Sequence, residues 1–416
     1  MIYLIIIYCL LFCWLAYKQL DWAIYLIMAT LPSYLIRFSV FNIPTTLLEI
    51  MLICVIGVWT LKNARTIWSK IHLPGRNIWF WSISVIILLA TISIFKSPDL
   101  TGALGIWKAY FIIPIIFLLT FVSTIKEKKQ LQNFFKSLGV SIIYLSVIAI
   151  WQKFSGWNMS SAFLNLDGSV DRVTSVFGYP NAIGLYFGPI IILFTGLLKE
   201  RGYKLFKLLV IVLGIAVIIL AQSEAALLSI LIIWIVWGLL YKKTRLPLIV
   251  LIVCVGILLA MNPVFIQIVT NKILLKDYSG FIRRLIYLES WEMLKDNWFW
   301  GAGLNGYQAT IAPYHLPTFE IFQYPHNIIF NFWSELGILG LMSFIWLSII
   351  FFWQNIKTWF KKKDVLALTL VFIALQIIIH GLVDVPYFKN DLAILFWIII
   401  GISIIINNKQ SSIVKS

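Results

Sequence analysis

The feature that most constrains this chain is a succession of apolar runs, most of them close to the length that crosses a bilayer. Thirteen follow one another, at about 2–17, 21–38, 45–61, 78–95, 102–125, 135–152, 180–198, 205–222, 224–241, 247–269, 327–354, 365–386 and 391–407. A helix rising about 1.5 Å per residue needs roughly 20 apolar residues to cross the hydrocarbon core. Inside lipid the backbone must satisfy its own hydrogen bonds, so runs of this kind become helices. The composition agrees: 61% of the 416 residues are apolar and 12% are charged, against about 45–50% and about 25% in soluble domains. The expected fold is all-α, a polytopic membrane bundle of about 12–13 transmembrane helices forming a single integral domain over 1–416. The run 21–38 is the least regular, because Pro32 and Arg37 interrupt it. The division near Gln222-Ser223 follows from length, since 205–241 is too long for one span. The first run has neither a positive leader nor a small-residue cleavage site, and reads as a retained span.

The formal charge of +16 would suggest nucleic acid in a soluble domain. In a membrane protein its position matters more than its total, and no nucleic-acid role is expected. Lys62, Arg65, Lys70 and Arg76 lie in one connection, and Lys126, Lys128, Lys129 and Lys136 in another. Lys199, Arg201, Lys204 and Lys207 form a third cluster, and Lys242, Lys243 and Arg245 a fourth. Lys357, Lys361, Lys362 and Lys363 form the fifth. All five fall on alternate loops, so the positive-inside rule puts them in the cytoplasm, together with the C-terminal Lys409 and Lys415. Cys9, Cys13, Cys54 and Cys254 sit in apolar runs without paired spacing. Neither a disulfide framework nor a thiolate metal site is expected.

The remaining loops then face outward, chiefly 153–179 and the long segment 270–326. Within the latter, Tyr287, Trp291, Leu294 and Trp298 make an apolar stripe at 4-3-4 spacing, with Arg283, Arg284, Glu292 and Lys295 off it. This predicts an amphipathic helix lying in the outer interface with its aromatic side among lipid headgroups, the alternative being a helix packed on the bundle without chemistry.

Polar residues on the outward side gather in four places. These are Asp171-Arg172 with Phe177 to Asn181; Arg283-Arg284 with Gly301, Gly303 and Gly306; Tyr324 to Asn327; and His380 to Pro386. Pro325 and Asn327 mark a helix start with His326 beside it. The positive field of a helix N-terminus attracts phosphate and favours a neutral imidazole, which can take a hydroxyl proton. Asn327, Asn331 and Glu335 continue as a polar stripe into the membrane, placing Glu335 about 13 Å below His326. Such a group faces a cavity or a partner. The guanidinium groups of Arg172, Arg283 and Arg284 suit an anionic ligand, since arginine binds phosphate oxygens bidentately. There is no DxD pair, no metal-spaced cluster and no GxSxG motif, so the expectation is chemistry without metal, cofactor or serine nucleophile.

Taken together, over about 170–400, the chain resembles the O-antigen ligase and O-antigen polymerase superfamily of bacterial membrane glycosyltransferases. The resemblance rests on Arg283 and Tyr287, Lys295-Asp296-Asn297-Trp298, Gly301-Ala-Gly303, His326-Asn327 opening a helix with Gly337-Ile-Leu-Gly340, and Asp384-Val-Pro386. Upstream, Arg172 and Phe177 to Asn181 resemble the family's Arg…Pro-Asn segment. Two departures stand out: Ser223-Glu224 where many members have Ser-Arg, and Trp298 where Pro is usual.

The resemblance implies a bacterial inner-membrane enzyme with its site on the periplasmic side. It would transfer a glycan from a polyprenyl diphosphate-linked donor to an acceptor hydroxyl, with inversion and without metal. His326 would be the general base, and Arg283 or Arg284 would stabilise the reacting charge. Arg172, Arg283 and Arg284 would hold the donor diphosphate. Asn327, Glu335, Asp384, Gly301 and Gly303 would support them. A lipid A-core type acceptor and a second lipid-linked glycan both fit, the first making a ligase and the second a polymerase. A transporter or flippase of lipid-linked saccharide is the competing class. It predicts charges along a transmembrane path and broken helices in paired halves, and neither pattern is evident. A non-catalytic scaffold is the third, and predicts that His326→Ala changes no glycan product.

Overall fold

The computed structural model describes residues 2–40, 43–64, 78–317 and 319–408. Among these residues it is 77% helical with 16 helices. In chain order they are α1 (Ile2–Lys18), α2 (Leu20–Ala29), α3 (Leu47–Asn63), α4 (Ile78–Ile94), α5 (Leu100–Thr124), α6 (Lys128–Ser155), α7 (Asn181–Leu197) and α8 (Lys204–Leu220). Then come α9 (Glu224–Leu240), α10 (Lys242–Ala260), α11 (Pro263–Ile273), α12 (Tyr278–Asp296), α13 (Tyr307–Ile311), α14 (Ile328–Lys362), α15 (Val365–Gly381) and α16 (Asn390–Asn408). A small antiparallel hairpin, β1 (Arg37–Val40) and β2 (Ile43–Thr46), precedes α3 and pairs Arg37 with Thr46. The molecule is a polytopic all-α membrane bundle. Leu100–Thr124, Lys128–Ser155, Ile328–Lys362 and Asn390–Asn407 are each long and apolar enough to cross a membrane. Helices such as α4, α7, α9 and α15 have 17 residues, at the lower edge of the spanning range of about 17–25.

Two apolar runs depart from the expected single helices. The run 21–38 is helical only to Ala29, passes through a 3-10 turn at Leu31–Leu35 and enters the hairpin. Pro32, lacking an N–H, starts that turn, and Arg37 belongs to the strand. At ten residues, α2 is too short to cross, at about 15 Å. The run 247–269 is divided at Asn262-Pro263, where the Asn262 side chain accepts the Val264 N–H at 3.0 Å.

The basic loops gather at one end. Lys128, Arg201, Lys362 and Lys363 line one depression of about 610 Å³, and the Lys199 ammonium lies 3.2 Å from the Tyr241 ring centre. Arg65, Lys70, Arg76, Lys409 and Lys415 fall outside the described residues. The turns 94–100, 156–180 and 382–389, the hairpin and the segment 297–327 form the other end, by the connectivity of the same helices.

In lipid, burial of one apolar helix against another gains little hydrophobic free energy, so packing and interhelical bonds carry the association. Nearly every side chain of α7 is buried at the centre of the bundle. Under the non-basic end lies an aromatic cluster in which Phe332 stacks on Phe344 at 4.0 Å and meets Tyr387 and Phe388. The Tyr387 hydroxyl donates to the Tyr110 carbonyl at 2.6 Å and accepts from the Trp397 indole at 3.0 Å. Hydrogen bonds of this kind within a membrane bundle contribute roughly 0.6–2 kcal/mol each.

The segment 278–321 builds a second, smaller core from Met293, Leu294, Ala302, Tyr307 and Ile311. Helix α12 lies where the amphipathic stripe predicted one, and much of that stripe turns toward protein. Tyr287 meets Phe330 at 5.7 Å, Trp291 meets Trp333 at 6.0 Å and Leu294 is buried, while Trp298 is exposed. The helix expected in the outer interface is thus packed on protein along much of that stripe.

Candidate active site

A cavity of about 620 Å³ opens at the end away from the basic loops. Five parts of the chain wall it: residues 34–37 entering the hairpin, Tyr110 of α5, the loop leading into α7, the segment entering α14, and the turn between α15 and α16 with Asn390. His326, Asp384 and Arg172 all line it, so residues far apart in sequence meet there.

His326 directly precedes the N-cap of α14. The Asn327 side chain accepts the N–H groups of Ile329 and Phe330 at 2.9 and 3.2 Å, as a capping residue should. Its amide donates to the Leu382 carbonyl at 2.9 Å. His326 itself has φ of +47°, a left-handed conformation uncommon for a side-chain-bearing residue. The Tyr287 hydroxyl lies 3.0 Å from the His326 carbonyl and 2.9 Å from that of Leu382, and is shared between them. Burial pushes the Tyr287 phenol up to about 12, so it remains a donor. Helix α12 thus ties the start of α14 to the turn after α15.

The imidazole Nδ1 stands 3.5 Å from an Asp384 carboxylate oxygen, and its ring meets Phe322 edge to face at 5.2 Å. Burial pushes Asp384 up. His326, His380 and the Val385 N–H more than offset this and hold its carboxyl below the ordinary range. A carboxylate at Nδ1 orients the ring and stabilises an imidazolium, leaving Nε2 to face a reactant.

The arginines are fixed by carbonyls. Arg172 donates from Nε to Ala221 at 3.0 Å and from its terminal nitrogen to the Asn181 side chain at 3.1 Å. Arg283 donates to the Val383 carbonyl at 3.2 Å. Burial lowers the Arg172 pKa, Asp171 and Glu224 oppose that, and Arg283 adds to it, so the two guanidinium groups lie within electrostatic reach. Arg284 is exposed and makes no hydrogen bond or ion pair among the described residues. Of the two adjacent arginines, Arg283 is the one tied to the site.

Glu335, Gly301 and Gly303 lie elsewhere. One Glu335 carboxylate oxygen accepts the Asn305 N–H at 2.8 Å, and its backbone carbonyl accepts from Ser93. Ala302 donates to the Ser334 carbonyl at 2.6 Å. Gly301 and Gly337 both have φ near +70°, and a Cβ would lie 2.4 Å from the Ser334 carbonyl oxygen at Gly301 and 2.1 Å from that of Phe299 at Gly337. These glycines seat loop 297–306 in the break of α14, so this loop supports the fold beside the site. Glu224, where many family members have arginine, pairs with Lys272 at 2.5 Å.

Two cavity cations escape a motif reading, Arg37 and Lys389. Arg37 reads as a breaker of an apolar run. Lys389 follows a recognisable Asp-x-Pro but belongs to no motif itself. Their one sequence signal is basic charge at the end away from the five basic loops.

The fold and cavity define a class: a helical membrane protein with a cationic, histidine-bearing pocket at one end of its spans. Residues 209–345 match the family model described as O-Antigen ligase. This match supports the O-antigen ligase/polymerase superfamily for the chain. It also supports a membrane glycosyltransferase-like function in O-antigen or lipopolysaccharide assembly, and points to a bacterial inner-membrane protein. The matched segment contains Arg283, Gly301, Gly303, His326, Asn327 and Glu335, whereas Arg172 and Asp384 lie outside it. No curated protein matches the chain.

Proposed function

We propose that the protein transfers a glycan from a polyprenyl diphosphate-linked donor to an acceptor hydroxyl on the outer, periplasmic face of the membrane, without metal and with inversion. The observation that carries this reading is the His326–Asp384 contact, 3.5 Å long, in a cavity that also holds Arg172. The acceptor oxygen attacks the anomeric carbon as the bond to the diphosphate oxygen breaks. The hydroxyl proton passes to Nε2 of His326, and Asp384 steadies the resulting imidazolium. The leaving diphosphate keeps the bonding electron pair, and Arg172 and Arg283 stabilise its added charge from fixed positions. The second core formed by 278–321 holds Arg283 and Tyr287 against the turn that carries Asp384. The placement of the cavity away from the basic loops supports the outward side.

The test uses the purified full-length chain in detergent with a polyprenyl diphosphate-linked oligosaccharide, an acceptor and a chelator. Wild type releases polyprenyl diphosphate, and His326→Ala does not. A ladder of longer lipid-linked products identifies a polymerase, and a single transferred glycan identifies a ligase. Equal release by both proteins removes the general-base role, and release that needs added metal removes the metal-free mechanism.

A further inference from the structure

The transfer scheme leaves Lys389 unused. Its backbone is fixed at the start of α16, where its N–H donates to the Tyr387 carbonyl at 2.7 Å and its carbonyl accepts from Ala393 at 2.8 Å. Its side chain crosses the Tyr179 ring, with the ammonium 3.8 Å from the ring centre. That nitrogen is buried and donates to no protein acceptor, although an ammonium carries three donors and pays for leaving them unpaired. The obvious internal partner is Asp391, two residues on, yet the two form no ion pair and one Asp391 oxygen is itself without a partner. Lys389 is instead one of the residues that line the cavity.

The charged group that acts on it most differs from those of the reacting cluster. Arg172 and Arg283 act on each other, and His326 and His380 act on Asp384. On Lys389, burial dominates and Asp391 is the charged group that opposes it. Arg37 lines the same cavity and acts on Tyr110, another of its lining residues. Tyr179, Tyr324 and Phe388 line the same space, and aromatic side chains suit the apolar faces of sugar rings.

We propose that Lys389 is a second anion-binding point of this cavity, receiving a carboxylate or phosphate carried on the saccharide, so that the substrate is an acidic glycan. The inference rests on the transfer reading and adds the chemical class of the sugar. In that reading Arg172 and Arg283 serve the diphosphate, which leaves the Lys389 ammonium for an anionic group on the sugar.

The test measures affinity of the purified full-length chain for three probes: polyprenyl diphosphate alone, and lipid-linked oligosaccharides that differ in a single glucose or glucuronate. Lys389→Met keeps most of the side-chain stem and removes the charge, and Lys389→Arg restores it. The expected result is about tenfold or greater loss of the glucuronate probe in Lys389→Met, the scale of one charge-assisted hydrogen bond. Lys389→Arg should recover most of it, and the other two probes should change less than about twofold. Equal weakening of all three probes would assign Lys389 to the donor diphosphate and overturn the acidic-glycan assignment. No change in any probe would overturn the site altogether while leaving the transfer reading intact. A wild type that binds none of the three would overturn both.

Discussion

The two ends of the bundle carry cationic hollows of almost equal size, about 610 Å³ at the basic loops and about 620 Å³ at the other end. Volume and charge do not separate them. At the basic end, Lys128, Arg201, Lys362 and Lys363 stand on the rim, and Asp364 is spent capping α15 through the N–H groups of Leu366 and Ala367. At the other end Arg172 and Arg283 are anchored on carbonyls, and a histidine faces a buried carboxylate. Flexible lysines on a rim meet anionic headgroups and fix topology. Anchored guanidinium groups beside an oriented imidazole can stabilise one particular charge distribution. The difference lies in what holds the charges still.

Substitutions at the anchored end should break this contrast hardest. His326→Ala should lower the transfer rate by about 10²–10⁴-fold, the range of a general base. Arg283→Gln should cost about 10²–10³-fold in turnover through lost stabilisation of the leaving group, with donor release as the readout for both. Asp384→Asn keeps the shape but removes the carboxylate that orients the ring. A loss of about 10²-fold in turnover with the donor affinity preserved would mark it as a positioning residue.

Lys389 gives a milder, pH-dependent signature. Burial pulls its pKa down to about 8, against the pull of Asp391, from an ordinary value of about 10.4. The folded chain therefore binds fewer protons than the unfolded one between these values, and this group's contribution to stability rises with pH across that window. Ligand affinity runs the other way. Binding of the glucuronate probe is full below about pH 8 and falls as pH rises through it, whereas Lys389→Arg should stay flat to about pH 10 in the same titration. The smallest effect belongs to the basic end: the double variant Lys362→Gln, Lys363→Gln should keep the wild-type transfer rate within about twofold.

Much of the fold was legible because the apolar runs are long and most are closed by charge or by Pro, Gly or Asn. The exceptions have local causes. Pro32 turned one run into a 3-10 segment and a hairpin, and Asn262-Pro263 divided another. The meeting of His326, Asp384 and Arg172 was legible through motif order and common sidedness. Adjacent arginines could not be told apart by spacing, because the phase of α12 against the bundle decides which one faces the turn at Val383. Glu335 pointed inward as its depth required, but its partner is the Asn305 backbone rather than the histidine. Only the break at Gly337, where loop 297–306 seats, makes that contact available. Lys389 stayed hidden because a lone lysine gains meaning only from the walls around it.

The central claim is that fixed geometry at one end, rather than charge at both, performs the transfer. The most direct measurement is the initial rate of polyprenyl diphosphate release from a lipid-linked donor by His326→Ala and by Lys362→Gln, Lys363→Gln, prepared and assayed together with wild type. The account predicts loss in the first and wild-type rate in the second. Retained release by His326→Ala, or loss in the basic-end variant at equal folded protein, would contradict it.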